Sequence, residues 1–306
     1  MDCFYTKSNT HKSFPCTAYV QTMTVQELCY ILGMINTIVI IGSGISGLRA
    51  GLELAQHSDN KIIILEKSKS VGGRVATRRF DSTYVNHGAE KFDGLQRVLD
   101  SDSKAQHLLD KNYFEARATD LPKRLYYALV YHHGSKVSFK FDWEVSKLIN
   151  DTQLQNTNGE LLHFDQLIIT APVPQIEKIT ETHIPNIKYN KCILFIGEIN
   201  NNAIRIEMNP IWSEEFFDLT DEEIFLAAKN SKYIVEGLKI KKWRYATVQI
   251  GIKESFLKLK ENIYVAGDAF DPECVFNLGS SWLSGMNTAK EILALHKTNQ
   301  VSSADS

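Results

Sequence analysis

Glycines at positions 42, 44 and 47 punctuate the stretch IVIIGSGISGLRA, residues 38–50. An apolar run ends at Gly42, and the G-x-G-x-x-G spacing opens a helical pattern. In such an arrangement the first glycine permits a tight turn and the second lets backbone approach a pyrophosphate. The third lets the helix pack closely on the strand. The helix N-terminus adds N–H groups and the positive end of its dipole, and Ile45 and Ser46 ride on the same turn. A second apolar run, KIIILEKS, ends in Glu66, followed by Lys67. A carboxylate there is suited to accept ribose hydroxyls and disfavours a 2′-phosphate, hence NADP at this position. By itself the turn fits an NAD dehydrogenase, a flavoenzyme, or an apolar turn that binds nothing.

Further groups extend the pattern. Gly72, Gly73 and Arg74 follow the second run, two residues that let backbone approach an anion and a guanidinium that can neutralise it. NHGAEKF then supplies Ala89 and Glu90, with His87 read as a structural histidine. Near the other end, ENIYVAGDAF is an apolar strand running into Gly267 and Asp268, a carboxylate able to accept a hydroxyl hydrogen bond. GSSWLSGMNTAKEILALH reads as a second helix, carrying Leu283 and offering N–H groups at its start.

These segments resemble the flavin amine oxidase superfamily, and TAPVPQI with KKWRYATV is similar to its renalase-like NAD(P)/FAD-dependent branch. The resemblance spans roughly residues 35–296 and is thin in the middle. It implies FAD on the glycine turn, Arg74 on the pyrophosphate, Ala89 and Glu90 beside the isoalloxazine, Val145 against the adenine and Asp268 on a ribityl hydroxyl. Trp243, Arg244 and Tyr245 become candidate catalytic residues, as a wall and anion contact near the flavin or a substrate phosphate. Ordinary strand packing, with the arginine on a local acid, is the competing reading. Asn86 and His87 stand where the family usually has an acid. No S-G-G-C-Y segment is present, which implies non-covalent FAD. The implied activity takes hydride from a small-molecule substrate, a dihydro-NAD(P) isomer, to flavin N5, with O2 as acceptor and hydrogen peroxide as product. The alternatives are a flavin amine oxidase and a non-catalytic FAD-binding protein with a degenerate substrate domain.

The elements that must position these groups form an α/β chain: an FAD-binding Rossmann-like (GR2-type) domain with a discontinuous, smaller α+β substrate domain. The expected divisions are 35–92, 126–175 and 244–297 for FAD, 93–125 and 176–243 for substrate, and 298–306 as a tail. Residues 1–34 read as an extension expected to be disordered, or as an upstream start ahead of Met34. The acidic stretch 200–230 reads as loop, which shortens the substrate domain. RLYYALVYHH reads as a core helix in preference to an aromatic substrate cage.

Composition sets outer limits. The 306 residues are 43% hydrophobic and 23% charged, with net charge −2, which gives no bulk attraction to nucleic acid. No run approaches the ~20 apolar residues that span a bilayer. The five scattered cysteines suit neither a disulfide framework nor a zinc site, and a cytoplasmic location is expected, with no metal.

Overall fold

Apolar runs of four or five residues that alternate toward two cores become the strands of a parallel sheet. The computed structural model describes residues 36–109, 118–229 and 237–304, with side chains of the last helix to residue 295; the expected extension lies outside them. Strands β1 (Thr37–Ile41), β2 (Lys61–Leu65), β5 (Val137–Lys140), β9 (Gln166–Ile169), β13 (Leu257–Lys260) and β14 (Ile263–Val265) form a six-stranded sheet in the order β13-β14-β9-β1-β2-β5. All pairings are parallel except β13 with β14. Helix α1 (Ile45–His57) makes the crossover from β1 to β2.

The twofold alternation of a strand divides the core. Ile38, Ile40, Ile62, Ile64 and Ile168 face one cluster, with Leu48 and Leu52 of α1 and Trp282 and Met286 of the C-terminal helix α8 (Leu278–Ala304). Val39, Ile41, Ile63, Leu65, Leu167 and Ile169 face the other, with Val145 and Leu154 of a small sheet, β6-β7-β8 (Val145–Asn150, Gln153–Asn156, Leu161–His163), and Ile176 of α5 (Val173–Thr180). Helices α2 (Leu95–Ser101) and α3 (Ala105–Leu108) bring Leu95, Val98 and Ala105 into the first cluster, although the sequence assigns 93–125 to the smaller unit. Helix α4 (Leu121–His133) is core on one side only. Leu121, Leu125 and Leu129 are buried, while Tyr127 and Tyr131 are 51% and 77% exposed.

A second sheet, β11-β10-β12, is antiparallel: β10 (Lys188–Ile199) pairs with both β11 (Asn202–Glu207) and β12 (Lys239–Ile250). Helices α6 (Pro210–Phe216) and α7 (Asp221–Ala228) cover one face through Phe217, Ile224 and Ala228. The hairpin β3–β4 (Thr77–Arg79, Tyr84–Asn86) covers the other through Val85 and Phe80. This corrects the loop reading of the acidic stretch. Asn209 accepts from Trp212 N at 2.9 Å, and Thr220 with Glu223 forms a capping box. The acids Asp221, Glu222 and Glu223 sit in the first turn of α7, where the helix dipole favours them.

Candidate cofactor site

Chain order reverses at β1, whose neighbours β2 and β9 lie on opposite sides, so the crevice at its carboxyl end is a topological switch point. The glycine turn opens there. Gly42 has φ +102° and donates to Leu65 O at 2.8 Å, the turn being fixed further by Thr170 Oγ1 on Ile41 O at 2.8 Å. A Cβ on Gly47 would stand 2.0 Å from Gly42 O, so only glycine lets α1 start against the strand. At Gly44 a Cβ would meet nothing within 4 Å, which leaves the middle of the turn open. Ile45 and Ser46 are buried beneath it, and the Ser46 hydroxyl has no hydrogen-bond partner.

Glu66 reaches the turn as expected, yet its carboxylate is already engaged. One oxygen accepts from Ser43 N and Oγ at 3.0 and 2.7 Å, the other from Ser68 N at 2.9 Å and from its hydroxyl. Binding a ribose here means exchanging one of these serines for a sugar hydroxyl. Lys67 is exposed beside it.

The Gly72–Arg74 segment lies on the turn: Gly72 N donates to Ser43 O at 3.0 Å. Arg74 then spans 194 positions to Asp268, making two parallel bonds of 2.6 Å. The two groups assigned to the pyrophosphate and the ribityl chain thus clasp each other. Burial works against the Arg74 charge, and Asp268 with its hydrogen bonds more than restores it, leaving the guanidinium above its ordinary pKa. Arg74 also donates to Tyr245 O and Ala246 O at 3.3 and 3.4 Å, joining the clasp to β12. Gly267 N donates to Ser284 Oγ of α8 at 3.0 Å, and Leu283 is buried beside it.

The remaining expected contacts are scattered. Ala89 N donates to Arg74 O at 2.9 Å, so that backbone does run along the clasp. The Glu90 carboxylate turns away to Arg205 at 3.0 Å. Val145 is buried among Ile63, Leu65 and Trp143 in the second core.

The structure divides the Trp243–Arg244–Tyr245 trio between two faces of β12. Trp243 stacks on His87, centroids 5.6 Å apart, and donates to His87 O; Tyr245 meets Tyr189 edge-on at 5.4 Å. Arg244 points to the helical face, bonded to Asp218 at 3.1 Å and lying 4.9 Å from the Phe217 centroid. Arg244 thus makes the local acid pair of the competing reading, on the face opposite Trp243, because neighbouring residues of a strand face opposite ways. His87 was expected to be a satisfied structural histidine, but its Nδ1 is buried without a hydrogen-bond partner.

Sequence reasoning missed Tyr189, whose hydroxyl accepts from Val173 N at 3.2 Å; burial first, then nearby Asp268, pushes it up to about 12. It also missed Arg49, 1% exposed on α1. Arg49 donates to Glu53 and to Asp102, which also accepts from Trp282 Nε1 at 3.0 Å, so one buried network ties α1, α2 and α8 together behind the turn. An arginine on an otherwise apolar helix face was the available signal. Among the described residues no group of three or more His, Cys, Asp or Glu could hold a metal, and no helix is long and apolar enough to cross a membrane.

The open turn, the orphaned Ser46 hydroxyl and the convergence of Glu66, Arg74 and Asp268 fit a dinucleotide. Residues 40–111 match the NAD(P)-binding Rossmann-like domain family. Protein anon-37Cs of Drosophila melanogaster is 43% identical over 61 residues, covering 19% of this chain and 12% of the relative. Flavin-containing amine oxidase A of Equus caballus is 42% identical over 65 residues, covering 21% and 12%. The chain thus aligns with 12% of the length of these curated relatives. A putrescine oxidase variant shares the fold at TM-score 0.60 and 11% identity, covering 85% of this chain and 99% of that one. The fold is therefore a mixed α/β one whose parallel sheet is a Rossmann-like dinucleotide-binding unit, and its matched segment is similar to that of a flavin-containing oxidase.

Proposed function

We propose that this chain is an FAD-dependent oxidoreductase of the flavin amine oxidase superfamily, on its renalase-like branch. One observation carries the reading: the glycine turn, Glu66, Arg74 and Asp268, drawn from both ends of the chain, meet at the switch point of the sheet. Non-covalent FAD would lie with its pyrophosphate over the Gly44 gap. Arg74 is the group to neutralise it, and Glu66 and Asp268 are the acceptors for ribose and ribityl hydroxyls. Bound flavin supplies two-electron chemistry, hydride acceptance from a substrate carbon and reoxidation by dioxygen with release of hydrogen peroxide.

The chain's own residues orient substrate and exclude water. The β11-β10-β12 sheet with its two helices would form the substrate side, with Trp243, Tyr245 and Tyr189 presented toward the clasp. A dihydronicotinamide needs no proton removed before hydride leaves, so a face of aromatic side chains suits it. Amine oxidation is the second reading, favoured by the aligned amine oxidase.

The test is an absorbance spectrum of purified protein before and after anaerobic addition of dihydro-NAD(P) isomers. A yellow protein bleached by them and recoloured by air, with peroxide formed and FAD released on denaturation, supports the proposal. Bleaching by amines alone moves the activity to the second reading. A yellow protein indifferent to both is a non-catalytic flavin binder, and a colourless one that takes up no FAD refutes the cofactor.

A further inference from the structure

Helix α8 meets α1 along one side. Trp282 and Ala289 lie in the first core cluster, and a Cβ on Gly285 would stand 2.2 Å from Ser46 O. Leu283, Met286, Asn287 and Lys290 recur at steps of three and four residues, so they share a different side of the helix. That side walls a cavity of about 240 Å³, bounded elsewhere by Arg97 and Ser101 of α2, by Ser255 and by the segment 270–273. None of Gly42, Gly44, Glu66, Arg74 and Asp268 lines it.

The cavity is apolar where it is buried and rich in donors where it opens. Phe270, Leu283 and Met286 are all buried, a ring, a branched alkyl group and a thioether suited to lie against one aromatic ring. The remaining wall offers the hydroxyls of Ser101 and Ser255, the Asn287 amide, the Lys290 ammonium and the Arg97 guanidinium. Among the described residues that line it, Glu273 alone carries a carboxylate.

Arg97 is set in place from behind. The Asp271 carboxylate, whose side chain is fully buried, accepts from Arg97 Nη1 and Nη2 at 2.7 and 2.9 Å and from the Ser280 hydroxyl. Two of the five guanidinium N–H groups are used in this way. The Nε side meets Glu273 at 3.4 Å. Glu273 N is fixed on Asp271 Oδ1 at 2.8 Å, but its side chain is 64% exposed, and a long contact to an exposed acid contributes little. A carboxylate entering the cavity exchanges that loose partner for its own, on a guanidinium already aimed, while the apolar body it carries covers buried carbon.

We propose that this cavity is a binding site for a small aromatic monocarboxylate. Its carboxylate takes the place of Glu273 on the Nε side of Arg97, with Lys290 beside it, and its ring lies against Phe270, Leu283 and Met286. An aromatic amine of the same size meets like charge at Arg97 and Lys290, which selects against it. The inference does not rest on the flavin reading. The cavity adjoins the cofactor region through Leu283 and Ser284, whose Oγ accepts from Gly267 N at 3.0 Å.

The test is calorimetric titration of the 306-residue chain with phenylacetate, with and without added FAD. Phenylacetamide, acetate and phenethylamine are the comparisons. Phenylacetate is expected to bind at least about tenfold more tightly than its amide, the lower end of what hydrogen bonds to a charged group supply. It should also outbind acetate, which lacks the ring, and phenethylamine, which has the wrong charge. Lys290→Gln should weaken phenylacetate by about threefold. Glu273→Gln should tighten it severalfold, since the competitor for Arg97 is gone, and a damaged fold does not produce a gain. Phenylacetate no tighter than its amide, or binding left unchanged or weakened by Glu273→Gln, overturns the proposal. Displacement of phenylacetate by FAD overturns it too, because that places the ligand at the glycine turn. Equal binding with and without FAD supports the site, and the colour of the same preparations bears on the flavin reading alone.

Discussion

Asp268→Asn is the most informative single perturbation, because among the described residues the Arg74 clasp is the ion pair that joins the glycine-turn region to the end of the last strand of the sheet. The wild-type carboxylate accepts two bonds of 2.6 Å from a guanidinium, with side-chain exposures of 28% for Arg74 and 12% for Asp268. Asparagine keeps one acceptor oxygen, loses the charge, and turns an amide donor toward another donor. What remains for Arg74 are the longer bonds to Tyr245 O and Ala246 O. A hydrogen bond between charged groups contributes about 1.5–3 kcal/mol, and partial exposure of the arginine places this loss in the middle of that range. About 2 kcal/mol corresponds to a melting point roughly 3 °C lower for a chain of this size.

The assay is thermal and denaturant unfolding of the apoprotein, followed by FAD titration of wild type and variant. A double-mutant cycle with Arg74→Met should return a coupling of about 1–2 kcal/mol. In the titration, loss of Asp268 removes a hydroxyl acceptor and at the same time frees Arg74. If the carboxylate is a cofactor ligand, FAD binds more weakly despite the freed guanidinium. Unchanged stability with zero coupling would refute the clasp. Tighter FAD binding by the variant would show that Asp268 only competes for Arg74.

Gly47→Ala must open the turn, since its Cβ meets Gly42 O at 2.0 Å; a loss of about 2–3 kcal/mol together with the flavin colour is expected, and an alanine protein of wild-type stability would sink the packing argument. For Asp102, burial raises the carboxyl but Arg49 and its hydrogen bonds outweigh it, holding it below its ordinary value. Its stabilisation is therefore full above the unfolded carboxylate pKa and lost as pH falls through the lower folded one, so Asp102→Asn should flatten acid unfolding below about pH 4. His87 is held below its ordinary value, so the unfolded chain takes the proton first and stability rises with pH up to about 6.5. His87→Gln should reduce that slope in denaturant melts, while His133, shifted the same way, contributes equally to both proteins. Arg244→Ala breaks a pair exposed at 54% and 69%, so a stability change below about 0.5 kcal/mol and unaltered turnover are expected; a collapse in turnover would restore it to the site.

Where a residue's partner is close in sequence or fixed by strand periodicity, the sequence was enough. Ile38 and Ile40 against Val39 and Ile41 announce a strand buried on both faces, and the turn that follows needs no tertiary information to be read. The Arg74–Asp268 clasp was different: both residues were legible as ligands of a third body, and nothing in their spacing of 194 positions says that they bond to each other. Glu66 was legible as an acceptor at the turn, but its serine partners were not, for the same reason. Ser43 and Ser68 are short, common residues, and only the fold shows them closing around one carboxylate. The acidic stretch misled by composition, since Asp221, Glu222 and Glu223 were counted as solvated charge when their position after Thr220 made them a helix start.

The two faces of β12 carry this argument into function. Three adjacent residues on one strand cannot all line one pocket, because side chains alternate across the sheet. Had Trp243, Arg244 and Tyr245 been weighed against that period at the outset, Arg244 would have been exchanged for Lys241, two positions from Trp243 and on its face. That exchange changes the chemistry. Arg244 is neutralised by Asp218, whereas Lys241 lies 4.6 Å from the Trp243 centroid, and among the described residues no carboxylate pairs with it. The Trp243 face is thus the one joined to the Arg74–Asp268 clasp, through the Arg74 bonds to Tyr245 O and Ala246 O.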